Sequence, residues 1–241
     1  MKIAILADIH ANFAALTAVL ADADAQDVAE IISLGDNIGY GPQPEEVVSV
    51  LRQRGIPSVM GNHELALVSS RYLKKLNPGP RKSLELNRAK MSKESLAWSA
   101  GLPAVLLRHS ARFVHGSPPR SITSYLHHTS MLRLARIFSG FTERLAFYGH
   151  THSLERFTCR AGVCRHEEAA EGLFYFRRGA RYIINPGSVG QPRDAISRQA
   201  KYGIWNLAEN SFTIRAVSYD ASVTKKLLAQ YDYPESNAYR L

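Results

Sequence analysis

The sequence predicts an α/β fold, and two features of its hydrophobic pattern carry this prediction. Between Lys2 and Met60, short apolar runs alternate with segments whose apolar side chains recur at helical spacing. From Ala104 onward, short apolar runs bounded by turn residues take over, which predicts a second and more antiparallel sheet. The chain has 241 residues, 45% of them hydrophobic, which suffices for one domain with a sizeable core.

Three strands are predicted in the N-terminal part, and each ends in polar residues. They span Lys2 to Ala7, Ile31 to Leu34 and Ser58 to Met60, and they end in Asp8, Gly35-Asp36 and Gly61-Asn62-His63. Helices are predicted between them, one behind Asn12 as its N-cap and one from Pro44 to Arg54. Strands and helices that alternate in this way form parallel sheets with right-handed crossovers. All three strand ends are therefore expected at one edge, where the ligands of such sheets bind.

The second half contains the predicted strands of the second sheet and a closing helix. The strands are Ala111 to His115, Leu145 to Tyr148, Leu173 to Phe176, Arg181 to Ile184, Lys201 to Leu207 and Phe212 to Val217. The helix spans about Ser222 to Gln230, and Tyr233 to Leu241 is predicted to be a loose tail.

Composition and charge limit the function classes. The apolar opening run, from Met1 to His10, is too short for a signal peptide or a membrane span, so we expect a cytoplasmic protein without a membrane partner. Cys159 and Cys164 lack the second cysteine pair of a structural zinc site and are predicted to be reduced thiols. The formal net charge of +9 favours phosphate-bearing partners, among which nucleotides, nucleic acids and phosphoproteins all remain open.

Basic residues concentrate between Arg71 and Lys93, a segment predicted to be helical and interrupted at Asn77-Pro78-Gly79-Pro80. A run of this kind is usually a solvated helix face, and this is the favoured interpretation. The alternative is a surface that faces phosphate groups, such as those of a nucleic acid, whose binding would weaken steeply as salt rises.

Residue types that bind metal ions occur in five places. They are Asp8-x-His10, Gly35-Asp36-Asn37, Gly61-Asn62-His63-Glu64, a strand-end His115, and Gly149-His150-Thr151-His152. Each motif alone is weak, because an isolated histidine or aspartate is more often structural. Together, at the ends of several strands, they predict a metal site. Nitrogen and oxygen ligands without a thiolate suit manganese, iron, zinc, nickel or cobalt.

In this order, the motifs resemble those of the calcineurin-like metallophosphoesterase superfamily, over about residues 1 to 195. The runs Gly35 to Pro42 and Asn185 to Arg193 are also similar to those of its bacterial and archaeal predicted phosphodiesterases. The resemblance implies a four-layer α/β/β/α sandwich, in which two facing mixed β-sheets are flanked by helices. It also implies a single domain over residues 1–241, with a basic helical insert at about 71–100 and a polar insert at about 118–140.

The resemblance further implies that two divalent metal ions share one carboxylate. The ligands of one ion would be Asp8, His10, Asp36 and His152, and those of the other would be Asp36, Asn62, His115 and His150. Manganese is the first choice for both ions, with iron, zinc, nickel or cobalt as alternatives. A hydroxide that bridges the ions would attack the phosphorus atom, which gives Asp36 and Asn62 catalytic roles as ligands. His63 would protonate or stabilise the leaving group, a task that suits an imidazole.

Three further residues are predicted to contact the substrate. Arg193 would bind phosphate oxygens through its guanidinium, or would instead form an ordinary salt bridge with Asp194. Asn37 and Tyr40 would line the pocket near the shared Asp36.

Two histidines and one alanine near the motifs lead to predictions about local structure. His127 and His128 lie in the polar stretch Pro118 to Thr129 and are interpreted as surface residues, with a role in a substrate cap as the alternative. Ala11 stands where the family often has glycine, and because alanine disfavours positive φ, a slightly different loop is expected.

The predicted function is hydrolysis of a phosphoester bond, with a small or nucleotide-like phosphodiester as the first choice of substrate. One alternative is a phosphomonoesterase that acts on a phosphoprotein or a dinucleoside polyphosphate. Another is a non-catalytic scaffold of the same fold, against which the complete ligand set argues. A nucleic-acid binder or nuclease that uses the basic segment is a further alternative and is not favoured.

Overall fold

Two β-sheets form the centre of the molecule, and the first contains the N-terminal strand. The computed structural model describes residues 1–126, 129–167, 169–194 and 197–241. In their order across the first sheet, the strands are β2 (Glu30–Ser33), β1 (Lys2–Leu6), β10 (Ala200–Asn206), β11 (Ser211–Val217) and β8 (Gly172–Tyr175). β1 pairs with β2 in parallel, and the other pairs of this sheet are antiparallel.

The second sheet is also mixed and faces the first. Its strands, in order, are β3 (Val105–Arg108), β4 (Ala111–Val114), β5 (Leu145–Phe147), β9 (Ala180–Pro186), β6 (Leu154–Arg160) and β7 (Val163–Glu167). β4, β5 and β9 run parallel, and the remaining pairs are antiparallel. Side chains of both sheets fill the space between them, where the centroid of the Phe147 ring lies 5.5 Å from those of Trp205 and Phe212.

Helices cover the outer faces of the two sheets. On the side of the first sheet lie α1 (Phe13–Ala25), α2 (Pro44–Gln53) and α8 (Ala221–Gln230), and α7 (Met131–Ser139) lies on the second. Leu16 of α1 is buried in one cluster with Leu6, and Phe138 of α7 in another with Tyr148. The expected four-layer sandwich is confirmed. Within the described ranges, no helix combines the length and the apolar character that a membrane span requires.

Four short helices connect α2 to β3 and contain the basic segment. They are α3 (Asn62–Val68), α4 (Ser70–Leu73), α5 (Pro78–Lys90) and α6 (Lys93–Ala100). Pro78 begins α5, a position where its missing N–H is harmless, so the predicted interruption lies between α4 and α5. Arg81 and Lys82 form surface pairs with Glu85 (3.0 Å) and Asp232 (2.7 Å), which fits the solvated helix face.

Sheet membership differs from the prediction. Strands β8, β10 and β11 were predicted in the second sheet but belong to the first, where β10 lies between β1 and β11. Residues 58–60 form no strand, and Ser58 makes only a single parallel bridge to Ser33. Strand partners are selected by contacts between distant parts of the chain, which a local apolar pattern does not report.

The cysteines lie in the hairpin of β6 and β7, which the pattern did not predict. Cys159 is directly opposite Cys164, and their Cα atoms are 4.0 Å apart. The two residues form a disulfide, so the prediction of reduced thiols is wrong. Opposite positions on antiparallel strands bring side chains together, and this proximity became evident only with the strand register.

The C-terminal tail is docked rather than loose. Residues Glu235–Arg240 form a 3-10 helix, and Leu241 is buried in a cluster with Leu228 of α8. Asn237 donates a hydrogen bond from Nδ2 to the carbonyl oxygen of Tyr40, at 2.8 Å. The prediction of a loose tail is wrong because apolar side chains of this segment complete a small core against α8.

Candidate metal centre

Loops at one edge of the sheets carry the predicted ligands. Asp8 and Asp36 lie just beyond β1 and β2, and His115 follows β4. Backbone hydrogen bonds join the first two loops, from the N–H of Asp8 to the oxygen of Gly35 (3.1 Å) and from the N–H of His10 to that of Asp36 (2.9 Å). The ends of neighbouring strands thereby bring ligand-type side chains together, as the pattern predicted.

The first group of potential ligands consists of Asp8, His10, Asp36 and His152. One ligand atom from each lies within 4.8 Å of all the others, and all four residues are buried. The Nε2 atoms of His10 and His152 are 3.0 Å apart. His152 Nε2 is 3.5 Å from Asp8 Oδ1, and His10 Nε2 is 3.7 Å from Asp36 Oδ2. These side chains can surround a single cation.

The second group shares a carboxylate with the first. Asp36, His115 and His150 each offer a ligand atom within 4.8 Å of the others, and all three are buried. His115 Nε2 lies 3.3 Å from Asp36 Oδ2 and 3.1 Å from Asn62 Oδ1, which adds the predicted amide ligand to this side. The structure thus brings all seven predicted ligands together and places Asp36 between the two groups.

Three of the histidines direct Nδ1 to a backbone carbonyl oxygen. The pairs are His10 with Ile38 (3.0 Å), His115 with Leu34 (2.8 Å) and His152 with Gln191 (2.7 Å). A carbonyl oxygen only accepts, so Nδ1 carries a proton, and in the neutral ring Nε2 presents a lone pair to the centre. The Nε2 lone pairs of His10 and His152 then face each other, an arrangement that repels without a cation and that a metal ion would stabilise.

Burial keeps most of these histidines neutral. It lowers the pKa of His10 and of His152 well below the usual range, and it lowers that of His150 to about 3. Neutral imidazole is the form that binds a metal ion. These three side chains therefore fit a divalent cation without first having to lose a proton.

The charged groups next to them compensate one another. Burial raises the pKa of Asp8 to about 7, and the neighbouring Asp36 adds to this rise. For Asp36, burial also raises the pKa. The effects of His115 and His63 are opposite and larger together, and they hold the pKa of Asp36 well below its usual range. For His115, burial lowers the pKa. The opposite effects of Asp36 and Asp8 are larger together, and they raise the pKa of His115 to about 9. A proton on His115 thus supplies part of the positive charge that these carboxylates require.

Five of the seven predicted ligands adopt a left-handed backbone conformation. Their φ values are 54° for Asp8, 50° for His10, 52° for Asp36, 71° for His150 and 61° for His152. This conformation costs about 1–3 kcal/mol per non-glycine residue and is concentrated at functional sites. Ala11 has a φ of 50° as well, so the loop keeps the conformation that glycine favours despite the alanine.

Glu64 holds the loops around the shared carboxylate, a role that the motif did not reveal. Its buried carboxylate accepts backbone hydrogen bonds from Gly61 (2.9 Å), Asp36 (3.0 Å) and Asn37 (2.8 Å). Burial raises the pKa of Glu64 to about 7, and Asp36 adds to the rise. A glutamate at the third position of a helix is a known capping signal, and the position of Glu64 in α3 carried that signal.

His63 lies beside the shared carboxylate, with Nε2 at 3.9 Å from Asp36 Oδ2. Its ring packs against those of His10 and Tyr40, whose centroids are 4.8 and 4.9 Å away. Within the described part of the chain, its buried Nδ1 has no hydrogen-bond partner. Gly39 leaves room for the ring, because a Cβ atom there would lie 1.9 Å from this nitrogen.

Tyr40 and Arg193 lie together at the mouth of the centre. The Tyr40 ring packs edge-on against His10, with centroids 4.6 Å apart, and Arg193 Nη2 is 3.4 Å from the Tyr40 hydroxyl. Asp194 instead contacts the buried Lys201, with Oδ1 at 3.0 Å from Nζ. The alternative of a salt bridge between Asp194 and Arg193 is therefore not supported, and the exposed Arg193 guanidinium is accessible to a phosphate group.

Asn37 does not reach the pocket, contrary to the prediction. Its side chain is fully buried, with Oδ1 accepting from Ser33 Oγ (2.6 Å) and Nδ2 donating to Ser58 Oγ (3.0 Å). Both polar atoms of the amide are thus engaged, and they join β2 to the segment that contains Ser58. We assign Asn37 a structural role and no longer a substrate contact.

Tyr125 covers part of the centre, and no motif singles it out beyond its place in the polar insert. Its ring stacks on that of His150, with centroids 3.9 Å apart and an interplanar angle of 25°. His150 Nε2 lies 3.2 Å from the carbonyl oxygen of Thr123, so its Nδ1 is the nitrogen left for the centre. His127 and His128, the predicted surface residues of this insert, lie outside the described residues.

Comparisons with known proteins give a consistent result. A family model of the calcineurin-like phosphoesterase superfamily domain matches residues 1–210. Over 238 residues, the chain is 30% identical to an uncharacterised protein from Methanocaldococcus jannaschii, a match that covers 97% of this chain and 94% of the other.

Solved structures extend this similarity. A metallophosphoesterase from Sphaerobacter thermophilus is 34% identical with a TM-score of 0.83, and the match covers 100% of this chain and 98% of that one. A hypothetical protein from Pyrococcus horikoshii has a TM-score of 0.80 at 18% identity, with 99% and 96% of the chains covered. The latter likeness concerns the fold alone.

Proposed function

The chain belongs to the calcineurin-like phosphoesterase superfamily, and from this premise we propose that it hydrolyses small phosphodiesters at a centre of two divalent metal ions. Asp8, His10 and His152 would hold one ion, and Asn62, His115 and His150 the other, with Asp36 shared between them. Manganese is the first choice, with iron, zinc, nickel and cobalt as alternatives, because the ligands are nitrogen and oxygen atoms without a thiolate.

One observation carries this proposal, namely that Asp36 belongs to both groups of ligand-type side chains. Two cations about 3.5–4 Å apart repel each other and require an anionic ligand between them. The Nε2 atoms of His10 and His152 lie 3.0 Å apart, and their facing lone pairs support a cation on one side. The contact of His115 with Asn62, at 3.1 Å, assembles the donors on the other side.

The chain's own residues would bind and orient the phosphoryl group. When bound, the two ions would supply Lewis acidity and lower the pKa of a water molecule. Arg193 would bind a phosphoryl oxygen and neutralise part of its charge. His63, whose Nε2 lies 3.9 Å from Asp36 Oδ2, would donate a proton to the leaving oxygen. Glu64 would keep Asp36 in place through the backbone.

Side chains at the mouth of the centre support the proposal of a diester rather than a monoester as the substrate. The aromatic rings of Tyr40 and Tyr125 flank it beside the guanidinium of Arg193. Such a mixed surface suits a substrate that has an organic group on each side of the phosphorus atom. A monoester carries more negative charge and would gain more from further cationic groups.

Turnover of two related substrates tests this preference. With manganese-loaded protein, we expect a higher kcat/KM for bis(p-nitrophenyl) phosphate than for p-nitrophenyl phosphate. The opposite order would contradict the diester proposal and favour the phosphomonoesterase alternative. If neither substrate is hydrolysed with any of the five metals although the protein binds two ions, the scaffold alternative is correct. A steep loss of affinity for single-stranded DNA with salt, together with its cleavage, would instead indicate a nuclease.

His63→Ala tests the proposed proton donor. We expect its kcat to fall by roughly 100-fold or more, because removal of a general acid has effects of about 10²–10⁴-fold. Its metal content should equal that of the parent protein. His109→Ala is the matched control, since His109 is an exposed histidine that pairs with Glu30 at 2.7 Å. Equal rates for both variants would exclude His63 from the reaction.

A further inference from the structure

Tyr125 presents an aromatic surface at the mouth of the metal centre. One face of its ring stacks on His150 at 3.9 Å. The residue nevertheless remains 53% exposed. A tyrosine that only sealed His150 from water would have no need of so large an accessible surface.

The backbone holds this ring in a fixed place. Leu126, the next residue, is fully buried in the cluster that α7 forms with the second sheet. The carbonyl oxygen of Tyr125 accepts a hydrogen bond from Arg133 Nη2 of α7, at 3.1 Å. The exposed ring therefore belongs to an anchored segment and is positioned before any ligand arrives.

Tyr40 and Arg193 lie on the opposite side of the mouth. Tyr40 packs against His10 of the first group of ligands, whereas Tyr125 packs against His150 of the second. Because Asp36 is shared by both groups of ligands, the two sides of the mouth flank the same centre.

We propose that the exposed ring of Tyr125 is a platform for the nucleobase of a nucleoside phosphodiester, whose phosphate lies between the metal centre and Arg193. The inference rests on the proposed phosphodiesterase function and specifies its substrate class. Stacking of a base on an aromatic side chain changes affinity by roughly tenfold and accepts every base, because each has a π-face. The enzyme then selects for a nucleoside group without selecting strongly among bases.

Two substrates with the same leaving group isolate this contact. Thymidine 5′-(p-nitrophenyl phosphate) and methyl p-nitrophenyl phosphate both release p-nitrophenol when water adds to phosphorus and the bond to the nitrophenyl oxygen breaks. The products are thymidine 5′-phosphate and methyl phosphate. Because the departing group is identical, the ratio of the two kcat/KM values reports only on the group that is retained.

We expect the manganese-loaded protein to prefer the thymidine ester, and Tyr125→Leu to lower that ratio by roughly tenfold. Tyr125→Phe, which keeps the ring, should retain the ratio. The control is Tyr175→Leu, because Tyr175 is 62% exposed on β8 and lies away from the centre. A ratio that stays at the parent value in Tyr125→Leu, with both substrates slowed equally, would overturn the proposal and leave Tyr125 as a support for His150.

A binding measurement separates this inference from the proposed hydrolysis. Calorimetric titration of manganese-loaded protein should show tighter binding of thymidine 5′-phosphate than of methyl phosphate, and Tyr125→Leu should remove most of the difference. If the parent protein hydrolyses neither ester, the proposed function is wrong and this titration alone decides on the platform. If both esters are hydrolysed with equal kcat/KM and both phosphates bind equally, hydrolysis is correct and the platform is wrong.

Discussion

Replacing Glu64 by glutamine removes one of two acceptor oxygens from a buried position that serves three backbone N–H groups. Oε2 accepts from Gly61 and Asp36, and Oε1 accepts from Asn37, at 2.8–3.0 Å. Glutamine retains a single carbonyl oxygen, so its NH2 group must face at least one buried N–H. Each buried polar group without a partner costs about 1–3 kcal/mol, and two are created here. We therefore expect Glu64→Gln to lower the free energy of unfolding by roughly 2–5 kcal/mol.

Thermal unfolding of the metal-free protein at pH 8 measures this loss. At that pH the carboxyl group is mostly ionised, since burial raises its pKa to about 7. For a chain of this length, 1 kcal/mol corresponds to about 2–4 °C in Tm, so we expect a decrease of roughly 4–20 °C. Glu209→Gln is the control, because Glu209 is an exposed glutamate in a turn.

Metal affinity provides the second readout for Glu64→Gln. The Glu64 carboxylate holds the backbone of Asp36, and residues that orient ligands contribute about 10–100-fold to metal affinity. We expect manganese binding, measured by calorimetry, to weaken by a factor in this range. A Tm within about 2 °C of the parent protein and an unchanged affinity would refute the assigned role of Glu64.

Three further predictions concern the centre. The pKa of His115 is raised to about 9 in the fold, so its protonation stabilises the metal-free protein below pH 6.5. That stability should be lost as the pH rises through 9. Denaturant titrations at several pH values would show this loss as a decreasing free energy of unfolding. A free energy of unfolding that does not change with pH would exclude this protonation. Asp36→Ala should lose both metal ions in elemental analysis, and retention of one ion would show that the carboxylate is not shared. Gly39→Ala should lower kcat because its Cβ would lie 1.9 Å from His63 Nδ1. Gly55→Ala, also at positive φ but with no atom within 4 Å, should lower only stability, and equal kcat values in these two variants would contradict the steric argument.

Local sequence patterns predicted the strand ends and the ligands that follow them. Asp8 and Asp36 each follow a short apolar strand, and parallel pairing of β1 with β2 brings them to one edge. The family resemblance added the shared role of Asp36, which spacing alone does not define. These features depend on interactions close in sequence or on a motif with a fixed order.

Features that depend on distant contacts were missed. The pattern did not indicate that β10 pairs with β1, because strand partners are chosen in three dimensions. Asn37 lies within a recognised motif, yet its hydrogen bonds to Ser33 and Ser58 turn it away from the pocket. Tyr125 stacks on His150, a contact between distant parts of the chain that no spacing in the sequence encodes.

The left-handed backbone at five ligand positions has a practical consequence for identifying the native metal. Each of these conformations costs about 1 kcal/mol or more of free energy. Together they cost about as much as the entire net stability of an ordinary domain. A bound ion stabilises the native state by RT ln(1 + [metal]/Kd), so it offsets part of this cost, and more of it the tighter it binds. Melting curves recorded across a series of divalent cations would therefore rank their affinities without any substrate.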